Sequence, residues 1–361
     1  MTGAAGPVGS ELVRRLAGPG SGVRAVVCVD DRPVPADGRT WRHVDVRGPA
    51  VVTALDGCDV VVHAVVPDVP GTTGGPDDQP RRGRHDADGT DGWAGLVEGA
   101  RAVLTAAAAA GVARVVLVTS AMVYGAGADN LVPLDEDAPL RALADGPAIS
   151  ALLEVEEIAA AARAVHPGLE VTVVRPAVLV GPRVESVFTR HFEAPRLLVV
   201  KGSDPHWQFC HVADLVSALE AAALGRVSGV VTVAAEGFLT QAEVEAATGL
   251  RRIELPARLA YGTAERLHRL GMTPAPASEL AYTAEPWVVP STRLRASGWE
   301  PAYDNTAALG ALVDEKAARA ARGGAGRHLG RDATLGAAGA TVAVLGTAAV
   351  VRQIRRQRRG G

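Results

Sequence analysis

Cysteine and aromatic residues are scarce in this sequence. Cys28, Cys58 and Cys210 are the three cysteines among 361 residues, and their spacing fits neither a metal-ligand motif nor a disulfide framework. Phe, Trp and Tyr together make up 4% of the chain. A disulfide-stapled secreted domain is therefore excluded, and no metal site is predicted. Free thiols and the absence of a secretory leader pattern indicate the reducing cytoplasm.

Lysine is nearly absent, and positive charge is unevenly placed. Lys201 and Lys316 are the two lysines, and residues 316–361 contain ten Lys or Arg against a single acidic residue, Asp332. Because the formal net charge of the chain is -3, the residues before this basic tail are net acidic. An acidic body argues against nucleic acid as a partner. The hydrophobic content of 48% is enough for one large core or two smaller ones.

Glycine, by contrast, is abundant, with 41 residues, and its arrangement at the start of the chain is informative. Residues 2–9 read Thr-Gly-x-x-Gly-x-x-Gly and lead into a predicted helix over residues 10–16. Glycines at this spacing let a strand turn sharply into a helix and bring backbone N–H groups against a pyrophosphate. The predicted dinucleotide-binding turn comprises Gly3, Gly6, Pro7, Val8 and Gly9.

A buried strand at the centre of the sheet normally precedes such a turn, yet only Met1 precedes Thr2. If that strand is missing, its two neighbours have no backbone partners at this place. We therefore expect either a start site assigned several residues too late or a truncated chain.

The acidic residue that ends the next predicted strand indicates the cofactor. Residues 23–29 are a β-branched apolar run ending at Asp30, about 20 residues beyond the last glycine. A carboxylate at that position is placed to accept hydrogen bonds from the adenosine ribose of NAD. Arg32 leaves NADP as an alternative, because a guanidinium there can pair with a 2′-phosphate. A solvated turn is the competing interpretation of Asp30 and Asp31.

Strand and helix patterns alternate along the N-terminal half. Further strands are predicted over residues 41–46, 59–66, 113–119 and 170–175, and helices over residues 93–110 and 149–165. This alternation predicts an α/β fold with a Rossmann-type, doubly wound parallel sheet. Residues 67–92, crowded with Pro, Gly, Asp and Arg, are either a loop at the ligand-binding edge of the sheet or disorder without a function.

Seven short stretches occur in an order that identifies a family. They are Thr-Gly-x-x-Gly-x-x-Gly at 2–9, Asp-Val at 45–46, His-Ala at 63–64, Ser-Ala-Met-Val-Tyr-Gly at 120–125, Arg-Pro-Ala-Val-Leu-Val-Gly-Pro at 175–182, Phe-Cys-His-Val-Ala-Asp-Leu at 209–215 and Gly-Trp-Glu-Pro at 298–301. With them the chain resembles the extended short-chain dehydrogenase/reductase family, in particular NAD-dependent epimerases and dehydratases such as UDP-galactose 4-epimerase. The resemblance implies a nucleotide sugar, or a similar alcohol or ketone, as the substrate.

The resemblance also implies a domain organisation and a set of cofactor contacts. Residues 1–182 would form the NAD(P)-binding Rossmann domain, to which residues 208–235 return, and residues 183–315 would supply a smaller substrate domain. The implied cofactor contacts are Asp45 and Val46 at the adenine, His63, Ala64 and Val65 along the cofactor channel, and Arg175 with Pro176 at a strand end. For the last two residues, simply ending the strand is the alternative role.

The usual chemistry of that family requires a Tyr whose phenolate is favoured by a Lys four residues later, together with a Ser and an Asn. Ser120 matches the Ser, but Ala148, Leu152 and Leu96 occupy the Tyr, Lys and Asn positions. Three hypotheses remain: an oxidoreductase with a substitute base, a non-catalytic dinucleotide-binding sensor or scaffold, and an enzyme that needs a partner subunit. The candidate substitute bases are Glu154, His191 and His206.

Other polar residues of the matched stretches have structural interpretations. His211 is predicted to be a satisfied structural histidine, because its surroundings are apolar and Asp214 follows three residues later. Tyr124 is predicted to be a packed core ring. Residues that would either hold a diphosphate or be ordinary surface cations are Arg183, His191, Arg196 and Lys201.

The C-terminal tail combines an apolar and a basic stretch. Residues 335–351 are 17 uncharged residues, followed by five arginines up to residue 359. A helix of that length rises roughly 26 Å, the short end of a membrane span. The alternatives are a span, peripheral contact of residues 335–359 with anionic lipid, and an inert tail. A homodimer through helices 93–110 and 149–165 follows from the family resemblance alone.

Overall fold

A computed structural model describes residues 1–32, 39–65, 90–270 and 276–324. The strands are β1 Val27–Asp30, β2 Thr40–His43, β3 Val60–His63, β4 Arg114–Val118, β5 Glu170–Pro176, β6 Val178–Val180, β7 Leu197–Val200, β8 Phe209–His211, β9 Val230–Val233 and β10 Arg252–Leu255. The α-helices are α1 Pro7–Leu16, α2 Val51–Ala54, α3 Thr90–Ala109, α4 Pro147–Val165, α5 Val187–Glu193, α6 Val212–Ala223, α7 Gln241–Thr248, α8 Ala257–Arg269, α9 Thr292–Ala296 and α10 Asn305–Gly324. Two 3₁₀ segments are η1 Ala121–Tyr124 and η2 Ala277–Thr283.

The principal sheet is parallel and consists of two blocks, β2-β1 and β3-β4-β5-β9. Apart from β2, its strands are rich in valine and are buried on both faces. Val115 and Val116, neighbours on β4, are each fully buried, which requires cover on both sides of the sheet. Helices α3 and α4 pack together on one face, while α1 and α6 pack together on the other. The predicted doubly wound α/β architecture is therefore confirmed.

The two blocks of the sheet meet at the first residues of the chain. Thr2 pairs in parallel with Val29 on one side and with His63 on the other. Its N–H donates to the Val62 carbonyl at 2.9 Å, and the Val29 N–H donates to the Met1 carbonyl at 2.8 Å. Met1 and Thr2 thus supply backbone partners to β1 and β3 where the glycine turn begins, through isolated bridges and not through a full strand.

The predicted elements exist, but several are shorter than their apolar patterns. The run at 23–29 pairs only from Val27 onward, and the run at 59–66 ends as a strand at His63. Helix α4 begins at Pro147, directly after Gly146, because proline suits the first turn of a helix. Most of the predicted loop, residues 67–89, lies outside the described residues.

The later part of the chain adds two small parallel pairs, β6-β8 and β7-β10. It also returns to the principal sheet, since β9 pairs with β5 and α6 packs against β3, β4 and β5. One continuous hydrophobic cluster joins residues of both parts, from Leu12 and Val115 to Phe188 and Trp287. Of the helices within the described ranges, none is long and apolar enough to cross a bilayer. The apolar tail segment 335–351 is outside those ranges.

Candidate functional site

The glycine turn between Thr2 and α1 is packed too tightly for side chains. Gly3 has a φ of +70°, and a Cβ there would lie 2.9 Å from Val65 Cγ2. A Cβ on Gly9 would overlap the Gly3 carbonyl, so Gly9 lets the helix approach the turn. At Gly6 an added Cβ would lie 3.3 Å from the Gly3 carbonyl oxygen. A side chain at any of these three positions would therefore crowd the turn.

The N-terminus of α1 is available to an anion. Gly6 caps the helix without a side-chain hydrogen bond, Pro7 occupies its first turn, and no acidic residue lies in that turn. The first N–H groups of a helix have no intrahelical acceptor and carry the positive end of the helix dipole. Val8 and Gly9 are buried beneath this end. Pyrophosphate is the kind of group that this arrangement holds.

Asp30 at the end of β1 is bound to the glycine turn. Its Oδ2 accepts a hydrogen bond from the Ala5 N–H at 2.9 Å, and its Oδ1 accepts from the Arg32 N–H at 3.0 Å and from Arg32 Nε at 3.1 Å. Burial opposes ionisation, but the Arg32 guanidinium and these N–H groups hold the pKa of Asp30 below its usual range. Arg32 also approaches the turn, since its Nη2 is 3.5 Å from a Cβ built on Gly6.

His63, Val46 and Val65 form the wall beside this turn. His63 Nδ1 lies 2.8 Å from Thr2 Oγ1, and Nε2 is buried with no hydrogen-bond partner in the described part of the chain. Burial lowers the pKa of His63 to about 4, so the ring is neutral at physiological pH. A Cβ on Gly99 would lie 3.5 Å from both His63 Cε1 and Val46 Cγ2. Val46 and His63 thus meet at Gly99, and Val65 lies against Gly3.

Two of the predicted cofactor contacts have other partners. Asp45 is ion-paired with Arg47 at 2.8 Å near the surface. Arg175 is buried and donates from Nε and Nη2 to the two carboxylate oxygens of Glu156, at 2.8 and 2.9 Å. Its Nη1 donates to the Tyr124 hydroxyl at 2.7 Å. The ligand-contact role of the Arg175 side chain is therefore corrected to a structural one, since its donors are used inside the protein; Pro176 ends β5.

The polar network around Arg175 extends to side chains of other strands and loops. Thr119 Oγ1 donates to Glu156 at 2.7 Å, and the Tyr124 hydroxyl donates to the Glu136 carbonyl at 3.3 Å. The Glu136 carboxylate accepts from Thr232 Oγ1 at 3.3 Å and from the Arg293 N–H at 2.9 Å. Tyr124 is 1% exposed, which confirms that it is a packed core ring.

Ser120 lies between β4 and η1, at the carboxyl edge of the sheet, where ligands bind in this architecture. Its Oγ accepts a hydrogen bond from the Met122 N–H at 3.2 Å, and the residue is half-buried. Ala148 and Leu152 on α4 are 7% and 5% exposed, and Leu96 on α3 is also buried. Apolar side chains therefore pack at each position where a Tyr, Lys or Asn would be expected.

The candidate substitute bases have different surroundings. Glu154 is exposed on α4 and pairs with Arg101 of α3 at 2.8 Å. His191 stacks on Trp207 with ring centroids 5.3 Å apart, and burial lowers its pKa to about 4. His206 stacks on Phe238 at 3.8 Å. None of these contacts involves Ser120 or η1.

The other predicted cations and His211 are also placed. Arg183, at a φ of 61°, reaches α1 and donates to Ser10 Oγ at 2.6 Å, beside the predicted pyrophosphate site. Lys201 is exposed just after β7, and Arg196 is exposed just before it. His211 stacks on Tyr303 at 3.7 Å and accepts from the Ala213 N–H through Nδ1 at 3.2 Å. These contacts confirm the structural role predicted for His211.

Sequence reasoning missed η2, which lies over the start of α4. The Tyr282 hydroxyl donates to the Met122 carbonyl at 2.8 Å, so η2 is attached to η1. A Cβ on Gly146 would lie 3.5 Å from Glu279 Oε1. Burial, with a further contribution from Asp145, raises the pKa of Glu279 to about 7. The contacts join residues more than 130 positions apart, which no local pattern reveals.

Comparisons with known proteins agree with this architecture. Uncharacterized proteins of Mycobacterium bovis and Mycobacterium tuberculosis are 25% identical to the chain over 199 residues, which is 55% of this chain and 53% of each relative. The chain thus spans about half the length of these curated relatives.

Solved structures share the fold over most of the chain. MoeE5 in complex with UDP-glucose and NAD has 24% identity and a TM-score of 0.61, covering 89% of this chain and 98% of that one. UDP-glucose 4-epimerase of Thermotoga maritima with UDP-glucose has 16% identity and a TM-score of 0.62, covering 88% and 98%. The double mutant of DesIV, a dTDP-glucose 4,6-dehydratase from Streptomyces venezuelae with NAD bound, has 19% identity and a TM-score of 0.61, covering 89% and 97%.

A family model supplies the assignment. It matches residues 1–233, which include the glycine turn, Asp30, Ser120 and the strands of the principal sheet. The chain belongs to the NAD dependent epimerase/dehydratase family.

Proposed function

We propose that the chain binds NAD across the carboxyl edge of its principal sheet and is an epimerase/dehydratase-like oxidoreductase of a nucleotide sugar or a similar alcohol or ketone. The observation that carries the cofactor assignment is the glycine turn, whose Cβ-free surface leads to the open N-terminus of α1. Bound there, NAD would supply a hydride acceptor for an alcohol carbon. Related solved structures contain NAD with UDP-glucose or UDP-glucuronic acid, which supports the substrate class.

The residues of the glycine turn and of the neighbouring strand ends fit that cofactor. Gly3, Gly6, Pro7, Val8 and Gly9 would hold the pyrophosphate, and Asp30 would accept from the adenosine ribose. Asp45 and Val46 would border the adenine, and His63, Ala64 and Val65 would line the channel. Arg32 must move away from the Asp30 carboxylate, or share it, when the ribose binds. If Arg32 instead pairs with a 2′-phosphate, NADP is the preferred cofactor.

The acid/base part of the site is degenerate in this proposal. Ser120 is retained, but Ala148, Leu152 and Leu96 have neither an exchangeable proton nor a charge. Turnover by the usual Tyr–Lys chemistry should therefore be very slow or absent. The buried, apolar packing at these positions favours the second candidate, a non-catalytic dinucleotide-binding sensor or scaffold protein.

Two association surfaces extend the proposal. Helices α3 and α4 present a groove of about 640 Å³ with apolar side chains such as Leu104, Leu153 and Ile158, and a second copy of the chain would cover it in a homodimer. Residues 335–359 would contact anionic membranes through their arginines. Sedimentation equilibrium tests the first surface, and co-sedimentation with anionic vesicles tests the second.

Calorimetric titration with NAD and with NADP tests the cofactor assignment. Gly6→Ala should weaken NAD binding on the order of tenfold or more, because the new methyl group occupies the approach of the pyrophosphate. Gly168→Ala is the matched control, since a Cβ there meets nothing within 4 Å. Equal affinities of the two variants would contradict the site. Circular dichroism shows whether Gly6→Ala folds. If it does not fold, Asp30→Asn is used as the test variant in its place.

A further inference from the structure

The start of α4 lies under η2, and this contact places a carboxyl group near the position of the missing tyrosine. Gly146 precedes α4, two residues before Ala148. A Cβ on Gly146 would lie 2.6 Å from Pro276 Cγ and 3.5 Å from Glu279 Oε1. A side chain at Gly146 would therefore collide with Pro276, the residue that precedes η2. Glycine at this place allows Glu279 to approach the α4 N-terminus.

The geometry of η2 directs Glu279 and Tyr282 to the same side. In a 3₁₀ helix, residues i and i+3 are eclipsed, so these two side chains project together. The Tyr282 hydroxyl is hydrogen-bonded to the Met122 carbonyl, and the Met122 N–H is hydrogen-bonded to Ser120 Oγ. Glu279 thus lies on a segment that is attached to η1, with its Oε1 close to the residue that precedes α4. The Trp287 indole N–H donates to the Tyr282 carbonyl at 2.9 Å, which also holds η2 in place.

Glu279 is a buried carboxyl group without a positively charged partner in the described part of the chain. The residue is 8% exposed, and burial and the charge of Asp145, with no hydrogen bond, shift the pKa of its carboxyl group. Ser278 Oγ, one residue earlier, is buried without a hydrogen-bond partner among the described residues. Buried polar groups are nearly always hydrogen-bonded, so the Ser278 hydroxyl beside this carboxyl indicates a place where a polar group of a ligand can bind. In contrast, the buried carboxylate of Glu156 is fully paired with Arg175.

The groups around Glu279 raise the pKa of its carboxyl group toward neutral pH. Asp145 adds a negative charge beside α4, and Tyr282 on η2 is a neutral phenol whose own pKa is raised by burial and by Glu279. Helix α8 also packs on η2, and its Tyr261 lies near Glu285. No cation among these neighbours offsets the burial. A carboxyl group with a pKa of about 7 is suited to both accepting and donating a proton.

We propose that Glu279 is the acid/base residue of this site and takes the place of the absent tyrosine; this rests on the proposed function. The Glu279 carboxylate accepts the proton of a sugar hydroxyl, the O–H bond breaks, and the carbon–oxygen bond becomes a carbonyl. The hydride from that carbon goes to the oxidised nicotinamide of the proposed cofactor. In the reverse direction the Glu279 carboxylic acid returns the proton to the alkoxide oxygen. Ser120 donates a hydrogen bond to the same oxygen.

The experiment compares the full chain with Glu279→Gln and with the control Glu285→Gln, a less buried carboxyl in the same segment. Infrared difference spectra report the protonated carboxyl directly, independently of turnover. The expected band titrates with a midpoint near pH 7 and is absent from Glu279→Gln only. Single-turnover reduction of NAD by UDP-glucose, followed by absorbance, should fall about 100-fold or more in Glu279→Gln and little in Glu285→Gln.

Calorimetry with NAD separates this inference from the function on which it rests. Wild-type NAD affinity in Glu279→Gln, together with lost reduction, supports the acid/base role. Three outcomes overturn that role. They are an undiminished rate of NAD reduction in Glu279→Gln, a wild-type chain that binds NAD but reduces none, and an infrared band that the substitution does not change. A chain that binds neither NAD nor NADP overturns the proposed function itself. Circular dichroism shows whether Glu279→Gln folds. If it does not fold, Glu279→Asp is used in its place, and its rate of NAD reduction should be lower than that of the wild type but still depend on pH.

Discussion

The buried carboxyl of Glu279 should make the stability of the protein depend on pH in a way that one substitution removes. Its pKa is raised from 4.5 to about 7, so the folded chain holds this proton more tightly than the unfolded chain does. The stabilising contribution is complete below about pH 4.5 and is lost as the pH rises through about 7. Because one pKa unit corresponds to about 1.4 kcal/mol, the full loss is about 3 kcal/mol.

Glu279→Gln cannot ionise and should not show this loss. Between about pH 5.5 and 8.5, the free energy of unfolding of the wild type should fall by about 2 kcal/mol relative to that of the variant. Urea unfolding followed by tryptophan fluorescence at several pH values measures the difference. Glu265→Gln is the control, since the Glu265 side chain is 45% exposed and paired with Arg269 on α8. Parallel pH profiles of wild type and Glu279→Gln would refute the assignment of a buried, neutral carboxyl.

Three further substitutions test other parts of the molecule. Glu156→Ala should destabilise the fold by about 3 to 5 kcal/mol in urea unfolding, because it leaves the Arg175 guanidinium buried and unpaired; a loss below about 1 kcal/mol would contradict the buried pair. Asp30→Ala should weaken NAD binding by about 1 to 3 kcal/mol in calorimetry, and tighter binding of NADP than NAD by the wild type would show that the neighbouring arginine governs the pocket. Ala148→Tyr combined with Leu152→Lys should lower the melting temperature, because both positions are buried, but restore some hydride transfer if the alignment is right. No gain in reduced nicotinamide from a folded double variant would argue against that alignment.

The parts of the fold that the sequence predicted are those whose cause is local. The glycine spacing determines the turn and the start of α1, and the valine runs determine the buried parallel strands. Thr2 shows the limit of this reasoning. Its pairing with Val29 and His63 joins segments distant in the chain, which no local pattern at residues 1 and 2 reveals.

The parts of the site that the sequence did not reveal depend on distant contacts. Arg175 stands at a strand end, where a ligand contact was equally reasonable, and only the position of Glu156 shows that it is used internally. Glu279 had no distinguishing pattern, because its environment is made by Gly146 and by the attachment of Tyr282 to Met122. Burial, and therefore a shifted pKa, comes from tertiary packing.

The hydrogen-bonded network around Arg175 stabilises the fold and does not include the positions expected to carry the reaction. It ties together α4, η1, β5, β9 and the segment that carries Glu136, and loss of one member leaves another charge or hydrogen-bonding group stranded. Exchanges at positions 148 and 152, by contrast, trade one small or apolar side chain for another at little risk to this network. A substitution at these two positions can therefore change turnover while the hydrogen bonds that join these strands and helices stay intact.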